Sequence, residues 1–156
     1  MKALAKEVLG SAEMGRMMSD KDVSKFSPME IREAIQTLVT EGKDSLANAL
    51  GDAGLSLYPD SEDILAITGL LALMRQEWSL AVELMDQLRD VQQDKTPPFT
   101  YVMLVRALRC NLDPVRALEV VNEGLAKYPD QIELAAEKLI LKDFSTASSV
   151  QETSEH

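Results

Sequence analysis

The chain contains one histidine, His156, and one cysteine, Cys110. Histidine is the usual proton carrier near neutral pH, a common zinc ligand and the base that activates a nucleophilic thiol. Here it stands on the last residue of the sequence, where no rigid element would hold it against a substrate. Cys110 follows Leu108 and Arg109 near an expected helix end. A guanidinium neighbour lowers a thiol pKa in some settings, but the position suits a small packed side chain better. The acidic run PDSED at 59–63 lacks the alternating ligands and central glycine of a calcium loop, and its carboxylates fit helix capping. The seven glycines are scattered and form neither GxxxxGK[ST] nor GxGxxG, so no nucleotide cradle is expected. Trp78 is placed as a packing wedge between helices rather than as a ligand anchor. No catalytic residue, metal or cofactor is therefore expected, and the chain is not expected to be an enzyme.

The bulk numbers exclude further classes. At 156 residues, 46% hydrophobic and 27% charged, the chain is long and apolar enough to fold around a core. Its net charge of −10 opposes phosphate binding, and no basic run offsets it, so no nucleic-acid partner is expected. No apolar run is long enough for a membrane span, and the early charges Lys2, Lys6, Glu7 and Glu13 interrupt any signal-type core. With a lone cysteine, these features predict a cytoplasmic protein.

Any site must be positioned by helices, because the apolar spacing is helical and no segment alternates as a strand. Ile31, Ile35, Leu38 and Val39 follow helical spacing, as do Leu65, Leu70, Leu73 and Met74, and Val102, Val105, Leu108 and Leu112. Ser27-Pro28-Met29-Glu30 reads as a capping serine, a proline in the first turn and a carboxylate reaching back to the cap. Asp60 with Asp63 and Asp130 with Glu133 repeat an acidic cap after each Tyr-Pro turn, and Asp113-Pro114 opens another helix. Helices are predicted over 3–18, 28–41, 44–57, 61–75, 78–92, 98–110, 114–127 and 131–143. QQDKTPP at 92–98 is expected to form a rigid turn, and 144–156 a disordered tail.

GLSLYPD at 54–60 returns as GLAKYPD at 124–130, which points to an internal repeat. The 34 residues from Pro28 to Ser61 match the length of a tetratricopeptide unit. Ile31, Ala34, Ile35, Leu38, Gly42, Ala47, Gly51 and Pro59 occupy its slots. Leu65, Thr68, Gly69, Ala72, Trp78, Ala81 and Met85 fill a second unit without a closing proline. Tyr101, Leu104, Val105, Leu108, Ala117, Val121, Gly124 and Pro129 fill a third. Over 28–143 the sequence thus resembles the tetratricopeptide repeat family. The resemblance implies an all-α solenoid of about three antiparallel helix pairs, with a helix in 1–27 and a C-terminal capping helix built on Ile132, Leu134, Ala135, Leu139 and Leu141.

In that family the first helix of each pair lines a concave groove that binds segments of other proteins. On the matching positions the groove comprises Met29, Arg32, Gln36 and Val39; Asp63, Ala66, Ile67, Leu70, Leu73 and Met74; and Phe99, Val102, Met103, Arg106 and Arg109. Aliphatic and methionine side chains replace the lysines and asparagines of a carboxylate clamp. An apolar trough edged by Arg32, Arg106 and Arg109 would suit a hydrophobic or amphipathic client segment with acidic flanks. Ile67, Leu70 and Val102 fit helix-to-helix packing equally well. The amphipathic stretch 1–20 would cap the first repeat, cover the groove or form a homodimer contact. A small, acidic chain of this kind with an apolar concave face looks like the chaperones of bacterial type III secretion, and TGLLALMRQEWSLAVELMDQL with its following PP turn is similar to the small repeat proteins encoded with such systems. These features imply a chaperone; an assembly scaffold joining two proteins is the alternative.

Overall fold

The computed structural model describes the backbone of residues 23–154 and the side chains of 23–143. Among the described residues there are seven α-helices, one short 3-10 turn and no strand. The helices are α1 (Pro28–Thr40), α2 (Asp44–Leu57), α3 (Glu62–Met74), α4 (Trp78–Gln92), α5 (Pro98–Cys110), α6 (Pro114–Lys127) and α7 (Ile132–Ser154). The expected helix at 3–18 lies outside the described residues.

Local chemistry sets the boundaries. At α1 the Ser27 hydroxyl accepts from the Glu30 amide at 3.2 Å, and the Glu30 carboxylate accepts from the Ser27 amide at 3.0 Å. This reciprocal pair satisfies two donors that the first helical turn leaves unbonded. It also holds the Glu30 carboxyl below its ordinary pKa. Asp113 caps α6 through the Arg116 amide. The cap of α3 is Ser61, not Asp60, its hydroxyl accepting from the Ile64 amide. The helix at the C-terminal end runs to Ser154, beyond the expected limit at 143 and through most of the segment expected to be a disordered tail. Extending a helix already anchored by packing orders one residue per added hydrogen bond, so no new apolar period is needed to carry it on.

The chain forms two compact units that divide between Arg75 and Gln76, inside the span expected as one repeat domain. In the first, α1, α2 and α3 pack on one another around Ile31, Ile35, Leu38, Ala47, Leu50, Ile64 and Leu71. Gly51 and Gly54 let α2 approach closely: a Cβ on Gly54 would stand 3.1 Å from the Ile64 side chain. In the second unit, α5 packs against α4, α6 and α7, and α6 against α7. Leu84, Leu88, Leu104, Leu108, Val121 and Leu134 are among its buried residues.

The two units share a register of 70 residues. Pro28–Thr40 maps onto Pro98–Cys110, and Asp44–Leu57 onto Pro114–Lys127, with equal lengths. The loops obey it too. Tyr58 Oη donates to the Phe26 carbonyl at 2.9 Å, and Tyr128 Oη to the Thr96 carbonyl at 2.8 Å. The left-handed residue of the hairpin turn is Gly42 in one unit and Leu112 in the other. The recurring Tyr-Pro-Asp is therefore a latch: each tyrosine ties the end of a hairpin to the backbone that enters it.

Candidate functional site

In the first unit, Met29, Arg32, Gln36 and Val39 recur every three or four residues and so form one stripe on α1. Asp63, Ala66, Ile67, Leu70, Leu73 and Met74 do the same on α3. The Arg32 guanidinium donates to Asp63 Oδ1 at 3.0 Å and joins the stripes into one face. Met29 and Met74 are 58% and 53% exposed, Gln36 is exposed, and Val39, Leu70 and Leu73 are half-buried. Ala66 and Ile67 are buried, with Ile67 in the core of the unit. They form the floor of this face.

The second unit departs further from expectation. Phe99 is 40% exposed, but Val102 and Met103, expected in the middle of an apolar trough, are buried. Helix α5 is packed by three other helices, so Thr100 through Val105 are buried without interruption and no open stripe remains there. Arg106 and Arg109, expected at the edge of the trough, are paired within the chain. Arg106 Nε donates to Glu137 Oε1 at 2.9 Å and Arg109 Nε to Glu137 Oε2 at 3.0 Å, with Glu133 3.7 Å from Arg106. The Glu137 side chain is only 4% exposed, and both its oxygens are engaged by guanidinium groups, which offset the cost of burying its charge.

At the 70-residue register the first unit has Ile67, Gln36 and Val39 where the second has Glu137, Arg106 and Arg109. One unit closes this place with hydrocarbon and the other with an ion cluster. Sequence reasoning missed Glu137. Its signal was present: a carboxylate between Leu134 and Leu141 on the apolar face of α7, in helical register with both.

A second, polar depression of about 450 Å³ in the second unit is lined by Arg89, Asp90, Gln93, Tyr101 and Glu123. Arg89 and Glu123 pair across it at 3.0 Å. Burial, and then the Glu123 charge, raise the Tyr101 phenol above its ordinary pKa. Among the described residues no group of three or more histidine, cysteine or acidic side chains is placed to hold a metal, and no helix is long and apolar enough to cross a membrane. Cys110 is half-buried.

No family pattern matches the sequence, and no curated protein matches it. Solved structures are similar to it in fold. A MamA structure superposes with a TM-score of 0.69 over 83% of this chain and 72% of MamA, at 16% identity. The first tetratricopeptide domain of Spaghetti (RPAP3), solved with the HSP90 peptide SRMEEVD, gives 0.68 over 76% of this chain and 93% of that domain, at 12% identity. The fold is that of the tetratricopeptide domains. Acl4, an assembly chaperone of RpL4, matches 98% of this chain and 60% of its own at 13% identity and a TM-score of 0.60. The tetratricopeptide fold accounts for the hairpin turns at Gly42 and Leu112 and for the small residues at Ala47, Gly51, Ala117 and Gly124, where paired helices approach.

Proposed function

We propose that this protein is a non-catalytic, protein-binding tetratricopeptide chain that acts as a chaperone, holding an apolar or amphipathic segment of a client on the α1–α3 face. The observation that carries this reading is the exposure of Met29 and Met74 beside half-buried Val39, Leu70 and Leu73. Methionine is flexible and polarisable, and adapts to apolar partners of differing shape. Arg32, Arg106 and Arg109 are engaged by carboxylates of the chain itself, so recognition rests on apolar area rather than on acidic flanks of the client. A small, acidic chain of this fold is similar to type III secretion chaperones, which fits shielding of a client before a competing surface takes it over. The Spaghetti (RPAP3) domain with its bound HSP90 peptide and the assembly chaperone Acl4 are in keeping with this use of the fold.

The test is capture of the client by purified full-length chain from its native source, repeated with Met29→Glu and Met74→Glu. Both residues are exposed, so helicity should be unchanged while capture and protection of the client from aggregation are lost. Capture that survives both changes would reject the assignment. A second reading, an assembly adaptor, is favoured by further exposed aliphatic residues on α7, notably Ile132 and Leu139. A ternary complex with two folded proteins would distinguish it.

A further inference from the structure

The polar depression of the second unit, where the end of α4 meets α5 and α6, is not demanded by the repeat. At the register shared by the two units, its Tyr101 and Glu123 stand where the first unit has Ile31 and Ala53, both packed into that unit's hydrophobic core. The paired helices have equal lengths in the two units, so hydrocarbon at these positions satisfies the hairpin. The polar lining therefore has a cause outside the packing of the helices. Gln93, on the rim just after α4, adds to it. Its φ of 51° is one that glycine adopts without cost and other residues rarely do.

The lining holds more negative than positive charge. Arg89 balances only one of the carboxylates Asp90 and Glu123, and it meets a single oxygen of Glu123, Oε2. Nothing among the described residues engages Glu123 Oε1 or either oxygen of Asp90. Lys127, one helical turn after Glu123, donates instead to the Asp94 carbonyl. The Tyr101 phenol, its pKa raised by burial and then by the Glu123 charge, stays neutral and adds a hydrogen-bonding group without adding charge. We propose that this depression binds a small organic cation through a primary alkylammonium group, which Asp90 and Glu123 Oε1 receive with Gln93 and Tyr101 beside them. An ammonium has three donors and no acceptor, so it matches a wall of unengaged carboxylate oxygens. An anion would meet two carboxylates and a guanidinium already paired. The volume of about 450 Å³ lies within the range of small-molecule sites and far exceeds the space of one water. A free amine and the lysine side chain of a partner present this same group. The site shares no residue with the α1–α3 face.

The test titrates butylamine, butyrate and a doubly capped lysine separately into isotope-labelled full-length chain at neutral pH and low salt, followed by backbone amide shifts in nuclear magnetic resonance. Butylamine should shift the amides of Arg89, Asp90, Gln93 and Glu123 to saturation, and butyrate, of the same length but opposite charge, should not. The butylamine affinity should fall as salt rises. Asp90 is exposed, so Asp90→Asn should leave circular dichroism unchanged while weakening butylamine by about threefold. Arg89→Gln carries the sharpest sign. It removes the competing cation from Glu123 and should tighten butylamine by about threefold, whereas at an anion site the same change would abolish binding. Met74→Glu, on the α1–α3 face, should alter neither affinity. Butyrate binding as tightly as butylamine, butylamine shifts indifferent to Asp90→Asn, or weaker butylamine binding by a folded Arg89→Gln variant would each overturn the proposal. The ranking of capped lysine against butylamine separates a partner's side chain from a free amine, and either source bears out the ammonium assignment.

Discussion

Replacing Glu137 with isoleucine tests how the two units solve the same packing problem. The single change leaves Arg106 and Arg109 without their shared carboxylate. Their side chains are 41% and 33% exposed, so water solvates them in part and the loss falls well short of that for a fully buried charge. We expect a destabilisation of about 1–2 kcal/mol, from two charge-assisted hydrogen bonds discounted for this exposure. Adding Arg106→Gln and Arg109→Val installs the residues that the first unit carries at this register. Replacing a buried ion cluster by packed hydrocarbon is often neutral or stabilising, so the triple variant should return to within about 1 kcal/mol of the parent. Thermal and urea unfolding followed by far-ultraviolet circular dichroism would measure both, at roughly 2–8 °C of midpoint shift per kcal/mol. A costless single change, or a triple variant as weak as the single, would refute the reasoning.

The turns and close contacts give further expectations. Leu112 is 80% exposed at φ 60°, so Leu112→Gly should stabilise by about 0.5–1 kcal/mol in urea unfolding. Gly42 at φ 74° has open space around it, so Gly42→Ala should destabilise through backbone strain alone, by about 1 kcal/mol. Gly124→Ala should also destabilise, by about 1 kcal/mol net, because its Cβ would stand 3.0 Å from Leu134 and 3.1 Å from the Tyr101 ring and outweigh the gain in helix propensity. Tyr58→Phe and Tyr128→Phe should each cost about 1 kcal/mol, measured by the same unfolding experiment. Because the folded-state pKa of Tyr101 is raised, its contribution to stability is complete below pH 10.0 and declines as pH rises through the folded value. Comparing alkaline unfolding of Tyr101→Phe with that of the parent would isolate this contribution.

Local punctuation made the helices legible. The spans 44–57, 78–92, 98–110 and 114–127 coincide with α2, α4, α5 and α6 because prolines, aspartates and turn residues mark their ends within a few positions. The Ser27–Glu30 box was readable for the same reason. Contact surfaces were less legible, since they depend on what covers a side chain. Val102 and Met103 have the spacing of a groove stripe, but α5 is enclosed by three helices, which periodicity within one segment does not reveal. The roles of Arg106 and Arg109 were missed because their carboxylate lies 31 and 28 positions away. On α7, counting apolar residues gave a cap but did not separate the side facing α5 and α6 from the side facing water.

Twin latches at one spacing create a hazard during synthesis: a tyrosine from one hairpin could engage the wrong loop, or one molecule's hairpin could settle into another's place. Unlike residues at like positions oppose such exchange. Gly124 is shaped to receive Tyr101 and Leu134, whereas Gly54 receives Ile31 and Ile64, and an exchanged hairpin would meet a ring where it needs a branched aliphatic. Divergence inside a shared layout thus works as proofreading, so engineered chains made of two identical copies of either unit should misassemble more readily than this one.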